Sequence, residues 1–305
     1  MERRSSIAHG VAFGTILVWG TTFIATKILL DDFSPIEILV IRFVMGYLGL
    51  FIFDIVSGKR TTAKRFEAKQ ELLFAGAGLT GVVMYYLLEN FALTLTYASN
   101  VGILVSMAPL TTALLALFFL REEPIKFSLV IGFVIATVGA ALVMFNGTVT
   151  LKLSLTGDLL ALASTVGWAI YSIILKKIDT TRYAVTTYTK KIFFYGIVFM
   201  LPVALLSDFS VQASSFSARN ILLLLFLGLG ASATCFVSWN HAVQVLGVFK
   251  TSAYIYLTPL VSLFTAAVVL AEQVTLMAIL GCLLVLGGLY VSERKTAKNM
   301  ESAAA

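Results

Sequence analysis

The sequence predicts an all-α integral membrane protein, with ten transmembrane helices arranged as two inverted five-helix repeats around a central cavity. Three observations carry this expectation: apolar blocks long enough to cross a hydrocarbon core of roughly 30 Å, short separators built from turn residues, and a self-match at a shift of about 150 residues. Of the 305 residues, 59% are hydrophobic and 12% charged, and the mean hydropathy is +0.95. A soluble domain carries about twice that charged fraction and alternates short apolar faces with polar ones.

The apolar blocks fall at 7–30, 35–56, 71–91, 97–120, 127–146, 156–176, 183–206, 219–240, 248–270 and 274–292. Between them lie DDFSP, SGKRTTAKRFEAKQ, REEPIK, NGTVTLKLS, KKIDTTR and SDFSVQASSFSAR, none long enough to hold a soluble domain. Arg3 and Arg4 before the first block resemble the start of a signal peptide. That block continues to about Leu30 without a small-residue cleavage pattern, so it reads as the first spanning helix.

The net charge of +6 is expected to report topology, not nucleic-acid binding. With the N-terminus in the cytoplasm, Lys59, Arg60, Lys64, Arg65, Lys69, Arg121, Lys126, Lys176, Lys177, Arg182, Lys250, Arg294, Lys295 and Lys298 all fall inside. Only Lys152 and Arg219 fall in outer loops, which predicts both termini inside. The two cysteines, Cys235 and Cys282, lie within apolar blocks and suggest neither a disulfide nor a metal framework.

At the self-match, Trp19 falls on Trp168, Lys27 on Lys176, Arg42 on Lys191, Asn90 on Asn240, Pro109 on Pro259 and Glu122 on Glu272. Gly132 and Gly139 fall on Gly281 and Gly288. An odd number of helices per copy forces the copies, 7–146 and 156–292, into opposite orientations, leaving 293–305 as a cytoplasmic tail. Inverted repeats are a transporter signature, because two pseudo-symmetric halves can open a central site to each side in turn.

These residues resemble the drug/metabolite transporter superfamily, in its ten-helix EamA-like branch. The opening pattern is matched by Trp19, Gly20, Lys27, Ser34, Pro35 and Arg42, and the closing pattern by Pro109, Glu122, Gly132 and Gly139. The second copy repeats the ending as Pro259, Glu272, Gly281 and Gly288, but has Lys191 in place of the arginine and no Ser-Pro pair before its second helix. The resemblance implies a basket of helices around a central cavity, closed alternately at either end, that exports small metabolites such as amino acids.

Candidate working residues follow from polar groups at membrane depth. Lys27 sits near the outer end of the first helix, where it either snorkels to the headgroups or pairs with Glu37 or Glu89 as an outer gate. Arg42 lies about seven residues, roughly 10 Å, into the second helix, where its charge needs compensation. Glu89, with Tyr85 one turn below, is the expected partner, either as a structural ion pair or at a gate or substrate carboxylate. Lys190 and Lys191 are adjacent, so they cannot face one pocket, and Lys191, the mate of Arg42, is expected inside.

Trp19 and Trp168 lie mid-helix, away from the interfacial belt, as pocket walls or packing residues. Thr15, Thr22 and Thr26 share a helix face with Trp19, while Tyr171 and Ser172 follow Trp168. Tyr254 is a further candidate for the substrate pocket. Such hydroxyls either face substrate or bond to their own backbone. Pro109 and Pro259 are expected kinks, Asn90, Asn240 and His241 are expected to end the third and eighth helices, and Gly132, Gly139, Gly281, Gly287 and Gly288 are assigned to packing. Asn146-Gly-Thr148 reads as a chance glycosylation triplet close to the membrane.

No catalytic or metal-ligating constellation stands out, and no cofactor is expected. His9 and His241 are remote in sequence, and Asp31–Asp32 lacks a matching acidic motif. The expected partners are a small-molecule substrate and the lipid bilayer, with no nucleic acid; the sequence is compatible with a monomer and does not define the oligomeric state. Without a Walker motif the chain has no ATP drive of its own. The leading expectation is secondary export of amino acids across a bacterial inner membrane. A nucleotide-sugar or lipid-linked-sugar carrier is the alternative, and a lipid-acting membrane enzyme is the reading from another class.

Overall fold

The computed structural model describes residues 2–56, 67–119, 127–144, 155–207 and 209–302. Ten helices run through the described residues: α1 Glu2–Leu29, α2 Pro35–Val56, α3 Ala68–Leu95, α4 98–119 and α5 Phe127–Met144, then α6 Leu155–Lys177, α7 Val185–Leu206, α8 Ala218–Leu246, α9 248–269 and α10 Leu276–Ser302. Each overlaps one predicted block, and α2 coincides with its block at both ends. The helix α10 runs on through 293–302, because that stretch is rich in residues such as Glu, Arg, Lys, Ala and Met that favour a helix in water. Lys59, Arg60, Lys64, Arg65, Arg121, Glu122, Lys126, Asn146, Thr148 and Lys152, singled out in the sequence, lie outside the described residues.

Among the described residues, eight of the helices are long and apolar enough to cross a membrane, and the apolar α5 packs on α10, whose Leu276–Gly288 stretch is a shorter apolar segment. The surface is inverted relative to a soluble protein. Phe51, Phe53, Leu72, Leu205, Leu206, Phe264 and Val268 are exposed, whereas Arg42, Glu89, Asn90, Thr26, Ser232 and Asn240 are buried. That is the arrangement a hydrocarbon solvent selects, since apolar side chains cost nothing against lipid and charges must find partners inside.

The two halves interlock. Helix α3 packs on α6 and α7, as α8 packs on α1 and α2. Helix α4 lies on α6, as α9 lies on α1, while α2 meets α7 and α5 forms its most extensive contact with α10. Every major contact of one half thus has a counterpart under the shift that maps Trp19 onto Trp168.

Departures from regular helix are repeated in the same way. Leu79–Met84 within α3 and Phe226–Thr234 within α8 are π-helical. Helix α4 breaks at Ser106 and Met107, whose amides bond three residues back to Ile103 and Leu104 at 3.1 Å each. In α9 the matching stretch, Ala253–Leu257, winds as a 3₁₀ turn. Pro109 and Pro259 therefore stand in the first turn of new helical segments, Ala108–Phe119 and Thr258–Val269. This corrects the expectation of mid-helix kinks that orphan carbonyls, because the first-turn amides of a helix have no intrahelical acceptor to lose.

Glycines set how closely the backbones approach. A Cβ on Gly81 would lie 2.3 Å from the Tyr171 ring, one on Gly78 2.7 Å from the Gly196 amide, and one on Gly228 2.7 Å from the Met45 Cβ. Between α5 and α10 the contact is backbone to backbone: a Cβ on Gly139 would lie 2.6 Å from the Gly281 carbonyl, and one on Gly288 2.5 Å from that of Gly132. Gly287 differs from the expectation of packing, since nothing lies within 4 Å of a Cβ there. With lipid as solvent, this close van der Waals packing replaces hydrophobic burial as the force between helices.

Substituting Gly139 or Gly288 by Leu should lower the stability of the detergent-solubilised protein by about 1–3 kcal/mol, whereas Gly287→Ala should change it by less than about 0.5 kcal/mol. Thermal unfolding measures all three, and equal effects at the three positions would contradict the packing described.

Candidate functional site

At the centre of the interlocked halves the aromatic side chains converge. Trp19 from α1 meets Trp168 from α6 edge to face, with ring centroids 5.3 Å apart, and lies 5.2 Å from Trp239 and 5.6 Å from Phe236, both on α8. Tyr85 from α3 lies 5.2 Å from Trp168, and Tyr171 lies 5.1 Å from it. Edge-to-face and tilted pairs at these separations add to the contact energy of burial. The Trp19 indole is fixed by donating from Nε1 to the Ala231 carbonyl at 2.9 Å, within the π-helical stretch of α8.

This cluster borders a cavity of ≈ 30 Å³ whose walls include Trp19, Thr22, Tyr85, Tyr86, Glu89 and Trp168. Val105 and Ala108 of α4 and Ile255 and Thr258 of α9 also line it, beside the breaks in their helices. The space admits water but no solute the size of an amino acid. Glu89 is the one charged residue among the lining side chains. It is 1% exposed, its Oε1 has no hydrogen-bond partner, and its carboxyl interacts with Tyr85 one turn earlier. The Trp168 indole N–H, 3% exposed with its residue, also lacks a partner.

Arg42 is not ion-paired with Glu89, contrary to the sequence expectation. Its Nε donates to the Ser232 hydroxyl at 2.7 Å and its Nη2 to the Tyr86 hydroxyl at 3.3 Å. The guanidinium carbon stands 4.2 Å from the centre of the Tyr86 ring. Two hydroxyls and a cation–π contact thus hold a fully buried charge, so it needs no carboxylate, although it remains within electrostatic range of Glu89.

Lys27 answers differently from either reading. Its ammonium donates to the carbonyls of Leu93 and Thr96, the latter at 3.0 Å, at the end of α3. A cation there satisfies carbonyls that have no helical donor and opposes the negative end of the helix dipole, so neither Glu37 nor Glu89 is its partner. The same turn is held from two further sides. The Thr96 hydroxyl donates to Asp158 at 3.0 Å, and Glu272 accepts from Ser99 Oγ at 2.6 Å and from the amides of Ala98 and Ser99 that open α4. Glu37 belongs to a capping box: it accepts from the Ser34 amide at 2.8 Å and gives its own amide to Ser34 Oγ, while Oε1 accepts from Ser210 of the loop after α7.

Lys191 stands outside the aromatic centre, paired with Glu71 at the start of α3, whose second oxygen accepts from Tyr195 at 2.8 Å. Its neighbour Lys190 pairs with Asp54 at the end of α2. Adjacent positions splay by about 100°, and each lysine finds a carboxylate on a different helix. Tyr254 also lies off the cavity, with its hydroxyl 2.7 Å from His9 Nδ1. Tyr171 is in contact with the cluster but its hydroxyl is spent on Asn240 at 2.9 Å.

Asn90 and Asn240 do not end their helices. They are buried within α3 and α8, donating to the Pro35 carbonyl and the Thr189 hydroxyl at 3.0 and 2.9 Å. Thr15 and Thr22 donate to carbonyls of their own helix, as does Ser172. Sequence reasoning missed Tyr86, Phe236, Trp239 and Ser232. The repeat shift was the available signal, since it superposes Tyr86 on Phe236 and Glu89 on Trp239.

Replacing Arg42 by Lys should cost about 1.5–3 kcal/mol of stability, since a point ammonium cannot serve Ser232 and Tyr86 in two directions while stacking on a ring. Ser232→Ala should cost about 1 kcal/mol. Thermal or denaturant unfolding compares them, and a neutral Arg42→Lys would contradict the network described.

The EamA-like transporter family matches this chain twice, over residues 6–145 and 155–293. An uncharacterized transporter of Archaeoglobus fulgidus is 28% identical over 293 residues, spanning 95% of this chain and 99% of that protein. A probable terminal-alkyne amino-acid exporter of Streptantibioticus cattleyicolor is 28% identical over 284 residues, 92% of each chain. A solved crystal structure at 20% identity superposes with a TM-score of 0.69, covering 94% of this chain and 97% of the other, which speaks to the fold alone. Matched over both halves, and built of apolar helices that interlock around a shared centre, the chain belongs to the EamA-like transporter family and is a multi-pass membrane transporter.

Proposed function

We propose that the chain is a secondary transporter that exports amino acids, aromatic or other neutral ones, or related small metabolites, by alternating access. The observation that carries this reading is the aromatic chamber itself. Both halves contribute its walls, and its lining combines flat apolar surface with one carboxyl and an indole N–H, a composition suited to a small amphipathic solute. The Streptantibioticus relative named as an amino-acid exporter supports the same class.

A nucleotide-sugar carrier would offer free cationic groups to a diphosphate. Among the described residues that line the chamber there is no Lys or Arg, and the two cations the sequence placed there, Arg42 and Lys191, are engaged by Ser232 and Tyr86 and by Glu71. The reading places the protein in a bacterial inner membrane with both termini cytoplasmic, following the basic-residue bias. Lys27, Thr96, Asp158 and Glu272 then form the outer closure, and the ion pairs of Lys190 and Lys191 lie toward the cytoplasm.

A thermal-stability screen of the purified protein against amino acids, nucleotide sugars, polyamines and cationic drugs tests the substrate class. An amino acid at a hundred times its dissociation constant should add about 2.7 kcal/mol, and Trp168→Ala should abolish the gain. Stabilisation by nucleotide sugars alone would overturn the proposal.

A further inference from the structure

We propose that Glu89 and the Trp168 indole N–H form the two poles of a substrate subsite, with Glu89 taking a primary ammonium group and Trp168 an anionic or neutral acceptor. This rests on the reading of the chamber as the transport site and adds which end of the solute each half of the protein holds. Glu89 lines the cavity at 1% exposure with Oε1 unpartnered, and Trp168 lines the same cavity with Nε1 unpartnered. A buried carboxyl oxygen without a donor, its mate being served by Tyr85, and a buried indole N–H without an acceptor are each costly alone. Together they call for one solute bearing a donor cation and an acceptor.

The walls favour the same cation. Trp19, Tyr85, Tyr86 and Trp168 turn aromatic surface on the cavity beside Glu89, an arrangement that attracts an ammonium through the ring quadrupoles. The charged group within electrostatic range of Glu89 is Arg42, and its Nε and Nη2 are taken by Ser232 and Tyr86. The position is also asymmetric between the halves. The repeat shift superposes Glu89 on Trp239, so the chamber carries its carboxyl on one side only. Trp19, the mate of Trp168, has its N–H spent on Ala231 and offers no second pole. A solute is thereby given a single orientation, with its ammonium toward α3 and its acceptor toward α6.

The test uses the full-length protein in detergent and two probe sets: phenylalanine, N-acetylphenylalanine and phenethylamine, and leucine, N-acetylleucine and isoamylamine. In at least one set, the free amino acid and the amine should raise the unfolding temperature while the N-acetyl compound should not. Glu89→Gln, which keeps size and hydrogen-bonding capacity, should weaken binding of both amine-bearing probes by about tenfold or more. Trp168→Phe, which keeps the ring and removes the N–H, should weaken the amino acid but leave the amine unchanged. Equal stabilisation by the N-acetyl compounds in the wild type overturns the ammonium pole even if Glu89→Gln fails to fold, and leaves amino-acid export standing. Stabilisation by the amines with no effect of any amino acid sinks amino-acid export but retains the Glu89 pole. If no probe in either set moves the wild type, the subsite is refuted.

Discussion

In a hydrocarbon solvent a polar group that finds no partner inside the protein has none at all, and this constraint organises the structure. Arg42 sits at membrane depth because two hydroxyls and the Tyr86 ring receive it. Lys27 is tolerated because α3 ends beside it with free carbonyls, and Glu272 because α4 begins beside it with free amides. The threonines of α1 that might be taken for a polar lining largely return their hydroxyls to their own backbone. Against this background, Glu89 and Trp168 are the two described residues that both carry an unpartnered buried polar atom and line the central cavity.

The interlocking of the halves explains why that place is the centre. Each half lays its third and fourth helices on the first helix of the other, so neither can close a chamber without its counterpart. Irregular turns border this chamber in both halves. The break in α4 and the 3₁₀ turn in α9 both border the cavity, at Val105 and Ala108 and at Ile255 and Thr258. Segments with three-residue hydrogen bonds and proline-led restarts have fewer helical bonds to lose when they bend than continuous helix does. The cavity of ≈ 30 Å³ is therefore bounded in both halves by irregular helix segments.

Much of the architecture was legible in the sequence, because hydrocarbon thickness imposes a length on every span and the repeat imposes an order on them. The packing roles of Gly139 and Gly288 were readable for the same reason, as their mates lie in register. The partners of the charged residues were not. Arg42 and Glu89 have complementary charge and suitable depth, yet Ser232 and Tyr86 take the guanidinium, because helix rotation brings their hydroxyls within hydrogen-bond reach of it, a fact that composition does not carry. Lys191 looked like the mate of Arg42, but the second half has no counterpart network for it and Glu71 captures it instead. The π-helical stretches were also hidden, since they fall in runs apolar on most faces, where no periodicity stands out for an extra residue to shift. Their only trace is the glycines at Gly78, Gly81 and Gly228, needed where the widened turns meet neighbouring helices.

The chain contains three tryptophans, and all three stand in the central cluster, with Trp19 5.3 Å from Trp168 and 5.2 Å from Trp239. Intrinsic tryptophan emission is therefore a reporter of the chamber and of nowhere else in the protein. The most direct measurement is a titration of the reconstituted transporter with a solute shown to cross the membrane through it, following emission and flux together. If substrate occupies the aromatic chamber, emission changes saturably with the same half-saturation as transport. Undiminished flux at saturating substrate with unchanged emission would place the transport site elsewhere and contradict the account.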